Sequence, residues 1–88
     1  MEWKLSFLPK AQKQLQSLDA TVQKRILKFL HGRLLASPDP RSLGKALTCE
    51  MQELWRYRAG DYRLICRIED QAVTILVLEV GHRREVYR

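Results

Sequence analysis

Hydrophobic periodicity changes once along this chain, and that change limits the folds open to it. From residue 8 to residue 34 the apolar side chains recur at helical spacing. From residue 53 onward the period becomes two, and the last strand-like run is almost wholly apolar. A chain of 88 residues has room for one modest core, so helices and strands must share it. The expectation is a single domain over residues 1–88, of class α+β, with helices and strands segregated along the chain.

The elements can be placed in order. Residues 3–7 alternate in part and read as a first strand. Pro9 opens a helix, where its missing N–H costs nothing. Leu8, Ala11, Leu15 and Leu18 form that helix's apolar stripe. Asp19 reads as the N-cap of a second helix, with Gln23 in its first turn. Val22, Ile26, Phe29, Leu30, Arg33 and Leu34 carry its period, while Lys24, Arg25 and Lys28 fall on the far side. Ser37-Pro38-Asp39-Pro40 stops it. Residues 38–50 then read as a long connection containing Gly44-Lys45, and such a connection in a small domain is often functional.

Residues 53–58, 62–69 and 73–80 read as three strands. They are joined by the turns Ala59-Gly60-Asp61 and Asp70-Gln71, giving an antiparallel meander. The order is β-α-α-β-β-β. The near-continuous apolar character of residues 73–80 predicts a central strand covered on both faces. One helical hairpin can cover only one face of so small a sheet. Alternation then assigns Tyr62, Leu64, Cys66 and Ile68 to the core side, together with Trp55 and Tyr57. It leaves Arg56, Arg58 and Arg63 together on the other side.

The charge balance points the same way. The net charge is +6 and the isoelectric point about 9.8, which favours an anionic partner, nucleic acid first. From Glu53 onward there are seven arginines and no lysine. Guanidinium forks suit phosphate oxygens. The octet Gly81-His82-Arg83-Arg84-Glu85-Val86-Tyr87-Arg88 adds further arginines, a histidine and a phenol at the end of the last strand. Acids share this half of the chain, and Arg67 reads as a salt-bridge residue. His31 reads as structural, near a helix C-terminus.

Other chemistries find little support. Two cysteines, Cys49 and Cys66, make no disulfide scaffold and have no partner at metal-ligand spacing. Cys66 reads as core and Cys49 as semi-exposed in a loop. There is no phosphate-binding glycine loop, His-Glu-x-x-His or Ser-His-Asp pattern. No apolar run is long enough for a membrane span and no secretory signal opens the chain, so a reducing cytoplasm is expected.

Two segments together resemble a known family. They are Leu54-Trp55-Arg56-Tyr57-Arg58-Ala59-Gly60-Asp61-Tyr62-Arg63-Leu64-Ile65 and Val80-Gly81-His82-Arg83-Arg84-Glu85-Val86-Tyr87-Arg88, with Gly44-Lys45-Ala46-Leu47 as a third point of likeness. The chain resembles the RelE toxins of bacterial toxin–antitoxin systems, within the wider RelE/ParE superfamily. The resemblance implies a metal-independent endoribonuclease that cuts mRNA in the ribosomal A site. A ribose 2′-OH would attack the adjacent phosphate, leaving a 2′,3′-cyclic phosphate and a 5′-OH end. No cofactor is implied.

The resemblance also implies roles for residues. Arg63 matches the family's phosphate-contacting arginine, Arg83 the arginine after the last strand, and Tyr87 the tyrosine that stacks on or orients the nucleotide. Arg56 falls where a relative carries a basic residue proposed for proton transfer, although the position two before it is Leu54 here. Lys45, Arg58, Arg84 and His82 are the further RNA-binding candidates. Arg83 and Arg84 stay interchangeable, and His82 and Glu85 stay open as proton-transfer groups. The implied partners are a RelB-like antitoxin, in a toxin–antitoxin hetero-oligomer, and the ribosome with its rRNA and mRNA. Two alternatives share the fold: a ParE-like, non-nucleolytic inhibitor of DNA gyrase, and an inactive RNA- or peptide-binding module.

Overall fold

The computed structural model of the protein describes residues 3–47 and 54–82. Its elements are β1 (Lys4–Phe7), α1 (Pro9–Gln16), α2 (Ala20–Phe29), a π turn (Leu30–Leu34), a 3₁₀ turn (Pro40–Leu43), β2 (Lys45–Leu47), β3 (Leu54–Ala59), β4 (Tyr62–Glu69) and β5 (Thr74–His82). The strands form one sheet in the order β1-β5-β4-β3-β2. β1 and β5 run parallel, and the other pairs are antiparallel. The α+β class is the one expected. The sequence reading lacked β2, which lies inside the long connection. Its three residues are too few to show a period, and they become a strand by pairing with β3.

The helices form for the local reasons read from the sequence. Pro9 sits in the first turn of α1. The Asp19 side chain caps α2 by accepting a hydrogen bond from the Thr21 N–H at 3.1 Å, a contact worth about 1 kcal/mol. Gln23 Nε2 donates to the Leu18 carbonyl at 2.7 Å and closes the break between the helices. Ala11 and Leu15 are buried on α1, but Leu8, the first member of the expected stripe, is 38% exposed.

The inward stripe of the second helix is Ile26, Leu30 and Leu34, each with no exposed surface. Burying each contributes roughly 1.5–3 kcal/mol. The π turn is marked by the Leu35 N–H donating to the Leu30 carbonyl at 2.8 Å. It turns Arg33 outward. Arg33 is exposed and does not belong to the apolar stripe in which the periodicity placed it.

The helices cover one side of the sheet, against Tyr57, Leu64, Cys66, Ile75, Val77 and Val80. β5 lies in the interior of the sheet, as expected, and the described elements cover one of its faces. Ile75, Val77 and Val80 are buried, while Leu76 and Leu78 are only half-buried. The helical hairpin is a single layer, and no described element lies on the other side. Val73, at the end of the β4–β5 turn, takes a φ of +48°, which a β-branched residue rarely adopts. Its N–H donates to the Asp70 carbonyl at 3.1 Å, and its carbonyl accepts from the Lys4 N–H at 2.8 Å. The strained residue thus ties the turn to the start of β1.

A β-bulge changes the phase of β5. Cys66 pairs with Val77 but Ile65 pairs with Glu79, so Leu78 is the extra residue. A bulge leaves ladder groups to be satisfied elsewhere, and here the Val80 N–H donates to Gln14 Oε1 of α1 at 2.8 Å. Val80 consequently points into the core, where uninterrupted alternation would have placed Glu79.

The segment before β2 is fixed by polar contacts. Tyr57 is 1% exposed and its hydroxyl donates to the Pro40 carbonyl at 2.9 Å. Arg41 makes a two-pronged contact with Asp70, Nη1 to Oδ1 at 3.1 Å and Nη2 to Oδ2 at 2.7 Å. Its guanidinium also lies 6.0 Å from the centre of the Trp55 ring. The hydrogen bonds from Arg41 hold the Asp70 carboxyl below its usual range.

Cys66 is fully buried, as its strand phase required, and burial pushes its thiol from an ordinary 9.0 up to about 12. Burial likewise raises the Tyr57 phenol. Both groups bind their protons more tightly in the folded state. Their stabilising contribution is therefore complete below the unfolded pKa of the thiol and is lost as pH rises from about 9 toward 12. Urea unfolding curves should show a midpoint falling across that window, less steeply in Cys66→Val. In a Cys49→Ser background, a thiol reagent at pH 8 should modify Cys66 only after denaturation. Rapid native labelling would contradict this burial. Cys49 itself lies outside the described residues.

Candidate functional site

Cross-strand pairing decides which charged side chains share the uncovered side of the sheet, because directly paired residues point the same way. Lys45 pairs with Arg56, and Arg56 with Ile65. One row along, Arg58 pairs with Arg63, and Arg63 with Gly81. β2, β3 and β4 thereby bring Lys45, Arg56, Arg58 and Arg63 onto one face. The convergence of Arg56, Arg58 and Arg63 follows from their strand phase. Lys45 joins them only because β2 forms.

This face concentrates positive charge. Two of its direct cross-strand pairs, Lys45 with Arg56 and Arg58 with Arg63, are like-charged, and such pairs weaken a sheet. Arg63 is also 8% exposed, the buried charged residue of the described core. Withdrawing a guanidinium from water costs several kcal/mol before compensation. Arg58 and Lys45 are exposed and Arg56 is half-buried. A ligand with closely spaced negative charges would match both rows together.

The remaining candidates divide. His82 is not on this face. It pairs with Tyr62, the two rings meeting edge-on with centroids 5.6 Å apart and planes at 82°. The bulge at Leu78 is the reason, since it shifts the phase of everything after it. The histidine therefore lies on the helical side of the sheet, away from Arg63. Arg83, Arg84, Glu85 and Tyr87 lie outside the described residues. Arg67 is ion-paired with Glu69 at 3.1 Å, as read from the sequence, and Glu79 lies 3.9 Å from Lys10. His31 is exposed in the π turn.

The sequence reading missed the helical contribution to the charged region. Arg25, Lys28 and Arg33 border the same edge of β3 as Arg58. Their position on the far side of a helix stripe gives no hint of that edge. The one available signal was Gly60, over whose turn the Arg25 side chain lies.

The relatives of this chain show its family. The family model described as the ParE toxin of the type II toxin–antitoxin system parDE matches residues 5–87. Toxin RelG of Mycobacterium tuberculosis is 33% identical over 88 residues, covering 100% of this chain and 99% of the relative. The chain belongs to the RelE/ParE family of type II toxins. Among solved RelE-family structures, a chain of the RelBE2 toxin–antitoxin complex from M. tuberculosis superposes with a TM-score of 0.83 at 30% identity. That match covers 94% of this chain and 100% of the other. The isolated RelE toxin of E. coli gives 0.72 at 27% identity, covering 97% and 90%. The archaeal RelE–RelB complex from Pyrococcus horikoshii gives 0.74 at 29%, covering 94% and 97%. The helical hairpin on a five-stranded sheet is thus the RelE fold. Among the described residues of this family member, no helix is long and apolar enough to cross a membrane.

Proposed function

We propose that this toxin is a ribosome-dependent mRNA endoribonuclease, held inactive by a cognate RelB-like antitoxin. The observation that carries the reading is the convergence of four cations, in the paired rows Lys45–Arg56 and Arg58–Arg63, on the sheet face opposite the helices. An RNA backbone supplies the regularly spaced phosphates that would neutralise them. Membership of a family whose solved relatives include RelE–RelB complexes supports the antitoxin as partner.

The chemistry follows from what such a face offers. Attack of a ribose 2′-oxygen on the adjacent phosphorus breaks the bond to the 5′-oxygen, giving a 2′,3′-cyclic phosphate and a 5′-OH. Charge accumulates on the phosphorane oxygens in the transition state. Arg63 is positioned to bind them, with Arg83 or Arg84 as the second guanidinium and Tyr87 as the group that orients the nucleotide. Binding that grows as charge develops is what accelerates a reaction. Arg56 and Arg58 hold the flanking backbone, and Lys45 extends that contact. An arginine stays protonated, so Arg56 serves as a charge and not as the base. His82 faces the other way, which leaves the terminal segment or a group of the ribosome to move the proton.

The test is cleavage of mRNA on programmed ribosomes by the purified toxin, mapped by primer extension. Cuts at the A-site codon, none in free mRNA, and a cyclic-phosphate end are expected. Intact message at doses that arrest translation would refute the activity. Inhibition of purified gyrase in a supercoiling assay would instead place the protein with non-nucleolytic relatives.

A further inference from the structure

The arginine face does not end at the edge of the sheet. β2 pairs with β3 only as far as Arg56, so the rest of that edge is left to whatever packs beside it. Two cavities lie there. One, of about 380 Å³, is lined by Arg25, Lys28, Arg33 and Arg58, with Phe29 and the Gly60 turn. The other, of about 280 Å³, is lined by Arg33, Lys45, Arg56 and Arg58, with Phe29 and Gly44. Phe29, Arg33 and Arg58 border both, so the cavities form one groove running from the sheet face to the outer side of α2.

Among the described residues, every charged side chain lining this groove is a cation, and no aspartate or glutamate borders either half. Among the described residues, Arg25, Lys28, Arg33, Lys45 and Arg58 have no carboxylate within ion-pair distance. Of the described acids, Glu69, Asp70 and Glu79 are engaged elsewhere, by Arg67, Arg41 and Lys10. Arg33 stands in a π turn, a distortion of the helix that places it outward at the junction of the cavities. π turns frequently mark functional positions.

We propose that this groove is a second RNA-backbone track. A single strand lying on the arginine face continues over the β3 edge at Arg58, and its next phosphates are held by Arg33, Arg25 and Lys28. This rests on the reading of the sheet face as an RNA site, and extends it to residues of α2 and the π turn. Phe29 gives the groove an apolar floor on which a sugar or base can rest. An acidic helical peptide fits less well, because it needs a row of apolar pockets at helical spacing, and among the described residues the groove offers Phe29, Leu43 and Ala59. The contacts are to phosphates, so the track adds affinity without sequence preference.

The test uses the whole toxin and a fluorescent single-stranded 2′-O-methyl RNA, which binds but lacks the attacking hydroxyl. Affinity is read by anisotropy across a salt series for wild type and for Arg25→Gln/Lys28→Gln/Arg33→Gln. All three positions lie at the surface of α2 and the π turn, so circular dichroism and unfolding curves should be unchanged. The variant is expected to bind about 10-fold or more weakly. Its log–log salt slope should be shallower by roughly 2, at about 0.7 for each phosphate the protein no longer neutralises. Equal affinity and slope in the two proteins, or no RNA binding by wild type, overturns the track. So does an oligoglutamate peptide of matched charge that binds the wild-type groove more tightly than the RNA. Ribosome cleavage separates the two ideas. Wild type that cleaves, with an unaltered salt slope in the variant, sinks only the track. Wild type that never cleaves, with RNA binding abolished in the variant, sinks only the nuclease.

Discussion

Arg63→Met is expected to slow ribosome-coupled mRNA cleavage by roughly 100- to 1,000-fold or more, a loss far larger than its modest cost to the fold. The two halves of this expectation have separate causes. Arg63 is a guanidinium at 8% exposure, facing Arg58 across the β3–β4 ladder. A guanidinium this far from water is kept in place by interactions within the protein. An unbranched apolar side chain of similar reach fills its space but leaves the buried groups that met it unsatisfied, at a cost of about 1–3 kcal/mol. The loss in activity arises because the same guanidinium is the one best placed to meet charge on a phosphate. Single-turnover cleavage on programmed ribosomes and urea unfolding of the same preparation check the two halves together. A variant that loses stability and keeps its cleavage rate would show Arg63 to be a structural residue.

Gly44→Ala should destabilise the protein by about 2–4 kcal/mol, a large share of the stability of so small a domain. A Cβ at this position would meet the Arg56 carbonyl oxygen at 2.6 Å and the Tyr57 ring at 2.7 and 2.9 Å. Neither neighbour can retreat cheaply. The carbonyl belongs to β3, and Tyr57 is buried with its hydroxyl committed to Pro40. The conformation of Gly44 is ordinary, with φ at −129°, so the cost is contact and not backbone strain. Gly32→Ala is the matched control, since nothing lies within 4 Å of its Cβ, and there alanine should be neutral or favourable by up to about 1 kcal/mol. Thermal unfolding of both variants decides the matter. Gly44→Ala unfolding with Gly32→Ala would mean that β2 is not seated against β3 in this way. Because β2 carries Lys45, the clash should also weaken RNA binding.

Particular residues show how far the sequence could be read. Asp19 was legible because an N-cap needs only one acceptor and the next few backbone N–H groups. β4 was legible to the residue, because alternation over residues 62–69 is long and bounded by turns on both sides. The same phase placed Arg56, Arg58 and Arg63 on one face before any pairing was known. Arg33 was misread because a π turn breaks the 3.6-residue period of a regular helix. Lys45 was read within a loop because a three-residue strand has no periodicity of its own.

His82 marks the boundary most sharply. Alternation from Ile75 and Val77 would carry it to the face of Arg63. One extra residue at Leu78 reverses that, and the reversal is secured by Gln14, more than sixty positions earlier in the chain, through the Val80 N–H. The sequence by itself determined the class of fold, the order of its elements and the identity of the arginine face, because period and charge are local properties. The tertiary structure alone decided the short edge strand, the phase of the last strand and the groove beside α2. Each of those depends on a partner distant in the chain, and no local pattern encodes a distant partner.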